Sequence, residues 1–163
     1  MFMKAPKRDS VRFTGISTKT ISYAQEINKS TDLTADCKVK IVQEAAWDYY
    51  RTLNMFLDFV IEMGDLGIKW AAAEVEGVKI VWVYNDMIDE WGYNLCISVK
   101  KPIQPDDAIS LICHFDLPKV SHKDLPEDVK RNLELLFDEA WAYAFEDKAA
   151  QLSIVPELIR EAA

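Results

Sequence analysis

An amphipathic pattern in the first half of the chain most constrains the fold. Its apolar positions are spaced alternately three and four apart, at Val39, Val42, Ala46, Tyr49, Leu53, Phe56, Val60 and Met63. This spacing places one apolar stripe along a helix, with mainly charged residues opposite it. The pattern predicts a long helix over 36–63, which Thr34 or Asp36 caps and Gly64 ends in a left-handed conformation.

A second pattern competes over the later part of this segment. Every second residue from Leu53 to Met63 is also apolar, which is the period of a strand. Phe56 and Val60 would then lie on the polar face of that strand, and the helical pattern persists over twice the length. We therefore favour the helix, with a strand over 52–63 as the alternative.

β-branched and aromatic residues predict strands on both sides of this helix. Residues 10–23 predict one long strand or two short ones bent at Gly15. The segments 68–75 and 78–84 flank Glu76-Gly77, and this arrangement predicts a hairpin.

The later strands differ in how their side chains are distributed. Residues 78–83 are mostly apolar on both faces, which predicts a central strand. Residues 93–99 and 109–116 alternate apolar and polar side chains, which predicts one buried and one exposed face. The segment from Pro102 to Asp107 is rich in turn residues and is expected to join them.

The residues 126–147 predict a second amphipathic helix. Pro126 suits its start, and Glu127 and Asp128 favour the positive end of its dipole. A short tail helix is expected after Pro156.

The predicted fold class is α+β. An antiparallel sheet of four to five strands has one long amphipathic helix before it and a second amphipathic helix after it. The length of 163 residues predicts one domain, over 10–163, behind a flexible leader over 1–9.

The net charge of −8 is unevenly distributed. Residues 1–51 carry nine Lys and Arg against six Asp and Glu, whereas residues 52–163 carry ten against twenty-one. An acidic surface repels phosphate groups, so we expect no direct binding to nucleic acid and none to anionic membranes. The sequence contains no run of 18 apolar residues, so it predicts no membrane-spanning helix.

Three widely spaced cysteines, Cys37, Cys96 and Cys113, predict free thiols. Free thiols and the absence of an apolar signal segment at the N-terminus together predict a cytoplasmic protein. Cys37 lies beside Lys38 near the start of the predicted helix, where a thiol pKa can be depressed. No histidine is near it in sequence to act as a base.

The sequence contains no phosphate-binding, dinucleotide or zinc-protease motif, and we predict no cofactor. Its two histidines form His114-Phe-Asp116 and His122-Lys-Asp124. A carboxylate beside an imidazole can orient it or share a metal, which makes these four residues candidates for a metal or acid–base site. The simpler interpretation is a polar strand face and a polar loop.

Acidic and aromatic residues outside the core pattern form the candidate binding surface. They comprise Asp86, Asp89, Glu90 and Trp91 after the central strand, and Glu134, Asp138, Glu139, Glu146 and Asp147 on the last helix. Acidic side chains attract a basic partner, and exposed tryptophans are common in binding hot spots.

These features favour a non-enzymatic cytoplasmic protein-binding module of the inhibitor, immunity-protein or antitoxin type. Its acidic surface would block a basic site on a partner, such as a nucleic-acid-binding site. A structural subunit of a larger assembly, such as a phage particle, is an alternative, and the chain could form a homo-oligomer. An enzyme built on the two H-x-D pairs is a further alternative.

Three short segments carry a resemblance to a known family. Thr18–Ser22, Glu74–Gly77 and Gln151–Pro156 resemble parts of the SecB export-chaperone pattern, in the same order. The resemblance implies a chaperone for unfolded clients. It also requires 52–63 to be a strand.

Overall fold

The computed structural model describes residues 6–31, 33–41, 47–106 and 109–146. Within these ranges the strands are β1 (Val11–Ser17), β2 (Thr20–Asn28), β3 (Leu33–Lys40), β4 (Glu74–Asn85), β5 (Glu90–Asp106), β6 (Ile109–Asp116) and β7 (Val120–Ser121). The helices are α1 (Trp47–Asn54), α2 (Leu57–Gly64) and α3 (Glu127–Phe145). Short 3₁₀ turns cover Arg8–Ser10, Lys29–Thr31, Ile68–Ala72 and His122–Asp124.

The strands form one antiparallel sheet in the order β3-β2-β1-β4-β5-β6, and β7 pairs with β5 beyond the end of β6. The α+β class and the antiparallel sheet are therefore confirmed. The predicted count of four to five strands is too low, since seven strands occur in the described residues. β4 lies inside the sheet between β1 and β5, which confirms a central strand at 78–83.

The core lies between one face of the sheet and the helices. Inward side chains of the strands, such as Ile16, Ile80 and Leu95, pack in one cluster with Tyr49 of α1 and Leu136 of α3. Alternate strand residues point to the opposite face because side chains alternate along a strand. On that opposite face, which we call the open face, strand side chains such as Arg12, Lys79 and Ser98 are half-buried or exposed.

Residues 33–40 form β3, so the prediction that a helix begins at 36 is wrong. Ala35, Cys37 and Val39 are half-buried, and the residues between them are exposed, which is the two-residue period of a strand. Only one position of the predicted helical stripe, Val39, lies within 33–40. The strand pattern therefore outweighs the helical pattern in this segment. Cys37 therefore lies on a strand and not near a helix N-terminus. Residues 42–46 lie outside the described residues.

The helix prediction is confirmed from 47 onward, but α1 and α2 are separated by a bend. The N–H of Phe56 donates to the carbonyl of Leu53, three residues back, at 3.3 Å, which tightens the turn. The side-chain oxygen of Asn54 accepts the N–H of Val75 at 3.1 Å and so ties the bend to β4. Asp65, rather than Gly64, takes the left-handed conformation at the end of α2.

The strand alternative for 52–63 is wrong, since these residues belong to α1, the bend and α2. The resemblance to the SecB export chaperone thereby loses the strand that it requires.

Gly77 lies within one continuous strand, so the predicted hairpin of 68–75 with 78–84 is wrong. The register between β4 and β5 shifts at Val75 and Gly77, which marks a bulge. A Cβ on Gly77 would lie 2.9 Å from the Cβ of Ser17 on β1. Gly77 therefore permits a close approach of two strands instead of a chain reversal.

The other predicted elements differ mainly at their ends. Residues 10–23 contribute to two strands, β1 and β2, which is one of the two predicted arrangements, but the chain turns at Thr18-Lys19 and not at Gly15. The register of β1 with β2 is irregular between Phe13 and Gly15. β5 continues to Asp106 through the segment that was expected to be a turn. α3 confirms the second helix, with Pro126 immediately before it.

Two terminal predictions fall largely outside the described residues. The tail helix after Pro156 does so entirely. Of the leader over 1–9, residues 6–9 are described, and Arg8 contacts Asp138 on α3.

Candidate functional site

Among the described residues, the β4–β5 hairpin carries five of the twelve exposed large apolar side chains. The two strands remain paired as far as Asn85 and Glu90, and four residues reverse the chain between them. The side-chain oxygen of Asn85 accepts the N–H of Met87 at 3.0 Å, as in an Asx turn. Asp89 takes a left-handed conformation with φ of 50°. We call residues 83–91 the hairpin tip.

The hairpin tip exposes large apolar side chains where a turn would ordinarily be polar. Met87 is 94% exposed, and Val83, Tyr84, Ile88 and Trp91 are each about half exposed. Exposed apolar residues are unremarkable when scattered singly, whereas a concentration of them marks an interaction surface.

Carboxylates accompany these apolar side chains. Asp86, Asp89 and Glu90 are all exposed, and the sequence has no Lys or Arg from 80 to 99. The hairpin tip therefore carries three negatively charged residues and no Lys or Arg of its own. The structure brings the predicted residues Asp86, Asp89, Glu90 and Trp91 together on this one element.

Trp91 is held in place from two sides. The guanidinium carbon of Arg12 on β1 lies 3.7 Å from the centroid of the indole ring, within the range of a cation–π contact. The ring of Tyr84 lies 5.1 Å from that of Trp91, across the β4–β5 pair. These contacts fix the indole against the sheet.

A pocket of about 220 Å³ adjoins the hairpin tip, and its lining includes Ile88, Glu90, Tyr93 and His122. His122 Nδ1 accepts the N–H of Tyr93 at 3.3 Å, so the imidazole closes one wall. The pocket is smaller than the roughly 300–1,000 Å³ usual for small-molecule sites. A single side chain of a partner fits it better than a cofactor would.

The acidic residues of α3 do not form one compact patch. Glu134 faces Tyr93, whose pKa is raised by burial first and then by Glu134 and Glu127. Glu146 lies about 18 Å further along the helix, at ~1.5 Å per residue. Asp138 pairs with Arg8, and Glu139 is half-buried towards Tyr49. Asp147 lies outside the described residues.

The two H-x-D pairs are split among other partners. His114 Nδ1 lies 2.8 Å from a carboxylate oxygen of Glu76, whereas Asp116 accepts a 2.5 Å hydrogen bond from Ser98. His122 instead binds the backbone of Tyr93, and Asp124 is exposed in the adjacent 3₁₀ turn. No group of three or more potential metal ligands is assembled in the described part of the chain.

The thiols do not form an activated pair. Cys37, Cys96 and Cys113 are free and half-buried. Burial, and secondly the charge of Asp116, raises the pKa of the Cys96 thiol, which disfavours the reactive thiolate.

Sequence reasoning missed Val83, Tyr84, Met87 and Ile88 as surface residues. The available signal was Met87-Ile88 between Asp86 and Asp89, two apolar residues in a segment whose neighbours favour a turn. Arg12 was also missed as a partner of Trp91.

None of the helices in the described ranges is both long and apolar enough to span a bilayer. Comparison with known protein families, curated proteins and solved structures found no match to this chain.

Proposed function

We propose that this protein is a non-enzymatic binding module that contacts a protein partner through the hairpin tip. One observation carries the proposal: five large apolar side chains are exposed within nine residues, together with three carboxylates. The partner surface would be apolar at its centre and basic at its edge.

The apolar side chains supply the affinity of such a contact. Their burial against a partner removes apolar area from water, which stabilises a complex by about 25 cal/mol per Å² before the costs of association. Trp91 and Tyr84 are of the residue types that dominate binding hot spots. Because Arg12 and Tyr84 already hold the indole of Trp91, less side-chain freedom is lost on binding.

The carboxylates supply the selectivity. With no Lys or Arg from 80 to 99, Asp86, Asp89 and Glu90 would attract a basic surface and repel an acidic one. Such a surface suits an inhibitor, immunity protein or antitoxin that covers a basic site, including a site that binds nucleic acid.

The distribution of titratable groups supports binding over catalysis. Three of the four groups in the H-x-D pairs have their own partners elsewhere. His114 pairs with Glu76, Asp116 accepts a hydrogen bond from Ser98, and His122 accepts one from the backbone N–H of Tyr93. We place the protein in the cytoplasm, which the three unpaired thiols support.

Affinity purification from the native host, followed by mass spectrometry, tests the proposal. We expect a partner that wild-type protein retains and that the double variant Met87→Ser/Ile88→Ser loses. The matched control is Ile27→Ser/Leu33→Ser, which removes two exposed apolar side chains from the β2–β3 hairpin instead. A partner retained by the first variant and lost by the control would place the interface elsewhere.

The purified complex then allows a salt titration. We expect affinity to fall as ionic strength rises, and Asp86→Asn/Asp89→Asn to flatten that dependence. Asparagine tolerates the left-handed backbone of Asp89, so this variant should keep the turn. An affinity indifferent to salt would contradict a basic partner.

A further inference from the structure

The open face of the sheet contains a trough of about 690 Å³, which shares Trp91 with the hairpin tip but is otherwise lined by other residues. Its walls and floor come from β1, β2, β4 and β5, and Trp91 closes one end. The lining includes Arg12, Gly15, Ser22 and Lys79. From Ser17 to Arg12 the floor follows five residue steps of β1, roughly 17 Å at ~3.3 Å per residue.

The charge of the trough is opposite to that of the protein. Arg12 and Lys79 line it, and no Asp or Glu does, although the chain carries a net charge of −8. Neither cation forms a salt bridge with a described residue. Two unneutralised cations in a concave surface without carboxylates favour an anionic ligand.

The sheet register sets the spacing of the two cations along the trough. Lys79 lies beside Gly15 across the β1–β4 pair, and Arg12 is three residues, roughly 10 Å, before Gly15 on β1. An anionic group above Gly15 would therefore lie between the two cations.

The contact with Trp91 already orders the side chain of Arg12 for binding an anion. Its guanidinium stacks on Trp91, which leaves the N–H groups at its edge free to donate within the plane. The floor between the cations is formed by Gly15, which has no side chain, and Ser22, whose side chain is small, and both leave room for the ligand.

The end of the trough away from Trp91 lies close to a negative charge. Ser98 lines it and donates to Asp116, so a carboxylate stands just beyond that end. Lys79 lies two residues from Gly77, the partner of Ser98, so Asp116 weakens its attraction for an anion, and the anionic group should settle on the Arg12 side of Lys79.

We propose that this trough binds a small organic anion. Its phosphate or carboxylate group lies between Arg12 and Lys79, and its apolar part lies against Val81 and Trp91. The volume falls within the roughly 300–1,000 Å³ of small-molecule sites. Charge complementarity selects the anion, and the indole selects a flat apolar part.

Titration of ¹⁵N-labelled protein at low ionic strength tests the proposal with three probes: adenosine monophosphate, adenosine and inorganic phosphate. We expect adenosine monophosphate to shift the amide signals of Gly15, Ser22 and Lys79 and the indole signal of Trp91. Phosphate should bind more weakly because it lacks a ring, and adenosine should not bind because it lacks the charge.

Variants locate the anion. Lys79→Ala and Arg12→Ala should each weaken binding of adenosine monophosphate about tenfold, the effect of losing one charge-assisted hydrogen bond. Arg131→Ala is the matched control, since Arg131 is exposed on α3 across the sheet. Circular dichroism verifies that each variant is folded.

Three results would overturn the proposal. One is the absence of shifts at millimolar adenosine monophosphate, and another is binding that survives both Lys79→Ala and Arg12→Ala. The third is much tighter binding of oligothymidylate, with affinity that grows with length, which would make the trough a nucleic-acid site. Loss of the hairpin-tip partner in Met87→Ser/Ile88→Ser is a separate result and leaves this test unaffected.

Discussion

The phenol of Tyr49 donates a 2.6 Å hydrogen bond to the carbonyl oxygen of Ser17. Tyr49 is fully buried, and its ring also packs edge-on against Tyr143 of α3 at 5.1 Å. One side chain thus joins α1 to the end of β1 and to the last helix, at the centre of the core.

Tyr49→Phe should lower the free energy of unfolding by about 1 kcal/mol. The variant keeps the ring but leaves the carbonyl of Ser17 without this donor, and such a loss typically costs ~0.5–1.5 kcal/mol. Urea denaturation measures the change. Tyr84→Phe is the control, since Tyr84 is exposed, and equal effects in the two variants would contradict the role of the hydrogen bond.

Stability should fall as the pH rises above about 10. Burial raises the pKa of Tyr49, and the neighbouring Tyr143, Tyr50 and Glu139 raise it further. Above pH ~10 the unfolded tyrosine ionises while the folded one stays protonated, so the unfolded state gains ~1.4 kcal/mol per pH unit. This stability is fully present below pH ~10.

Urea denaturation at several alkaline pH values checks this dependence. In Tyr49→Phe the free energy of unfolding should fall less steeply with pH, by the slope that corresponds to about one proton. Tyr23 and Tyr93, whose pKa values burial also raises, should maintain part of the slope in that variant. An unchanged slope in Tyr49→Phe would show that Tyr49 ionises freely in the folded state.

Gly77→Ala should destabilise the protein by about 1–3 kcal/mol, the usual cost of overpacking. The new Cβ would lie 2.9 Å from the Cβ of Ser17 and 3.1 Å from the carbonyl oxygen of Ile16. Thermal denaturation measures the loss. Gly15→Ala is the matched control on the adjacent strand, because its Cβ would meet Ser22 at an ordinary 3.8 Å. Comparable losses at the two glycines would contradict the close approach at Gly77.

Gly92→Ala should displace the imidazole of His122, because the new Cβ would lie 2.4 Å from its Cε1 atom. The displacement would break the hydrogen bond from the Tyr93 N–H to Nδ1 and open the pocket beside the hairpin tip. The substitution should therefore cost less in a His122→Ala background than in wild type. A double-mutant cycle measures this coupling, and additive effects would mean that the two residues do not interact.

The predictable parts of the fold are those in which local signals agree. In α3 the apolar stripe, Pro126 and the acidic first turn all specify a helix, and the helix is present at nearly the expected bounds. In 33–40 the signals conflict, because Val39 fits both a helical stripe and an alternating strand. Pairing with β2 resolves that conflict in favour of the strand.

Gly77 shows a second reason why the fold is only partly predictable from the sequence. Glu76-Gly77 between two apolar runs is typical of a hairpin, yet it forms a bulge. The deciding contact is with Ser17 on β1, sixty residues earlier in the chain. Local turn preferences carry no information about such a neighbour.

Only the three carboxylates and Trp91 of the candidate site were predictable from the sequence. Asp86, Asp89, Glu90 and Trp91 were identifiable because acidic residues and an extra tryptophan stand out from the core pattern. The exposure of Met87 depends on the local turn that Asn85 forms, which apolar residues in that segment obscured. The contact of Arg12 with Trp91 joins residues far apart in sequence and depends on tertiary structure.

The strand order also bears on how the chain reaches this structure. β1, β2 and β3 form one meander, β4, β5 and β6 form another, and each consists of pairs adjacent in sequence. Among the described residues, the strands of the two meanders pair only where residues 15–17 lie opposite 77–79. Local pairings close with little loss of chain entropy, whereas this junction must bring together distant segments. The junction of β1 with β4 should therefore form late and limit the folding rate.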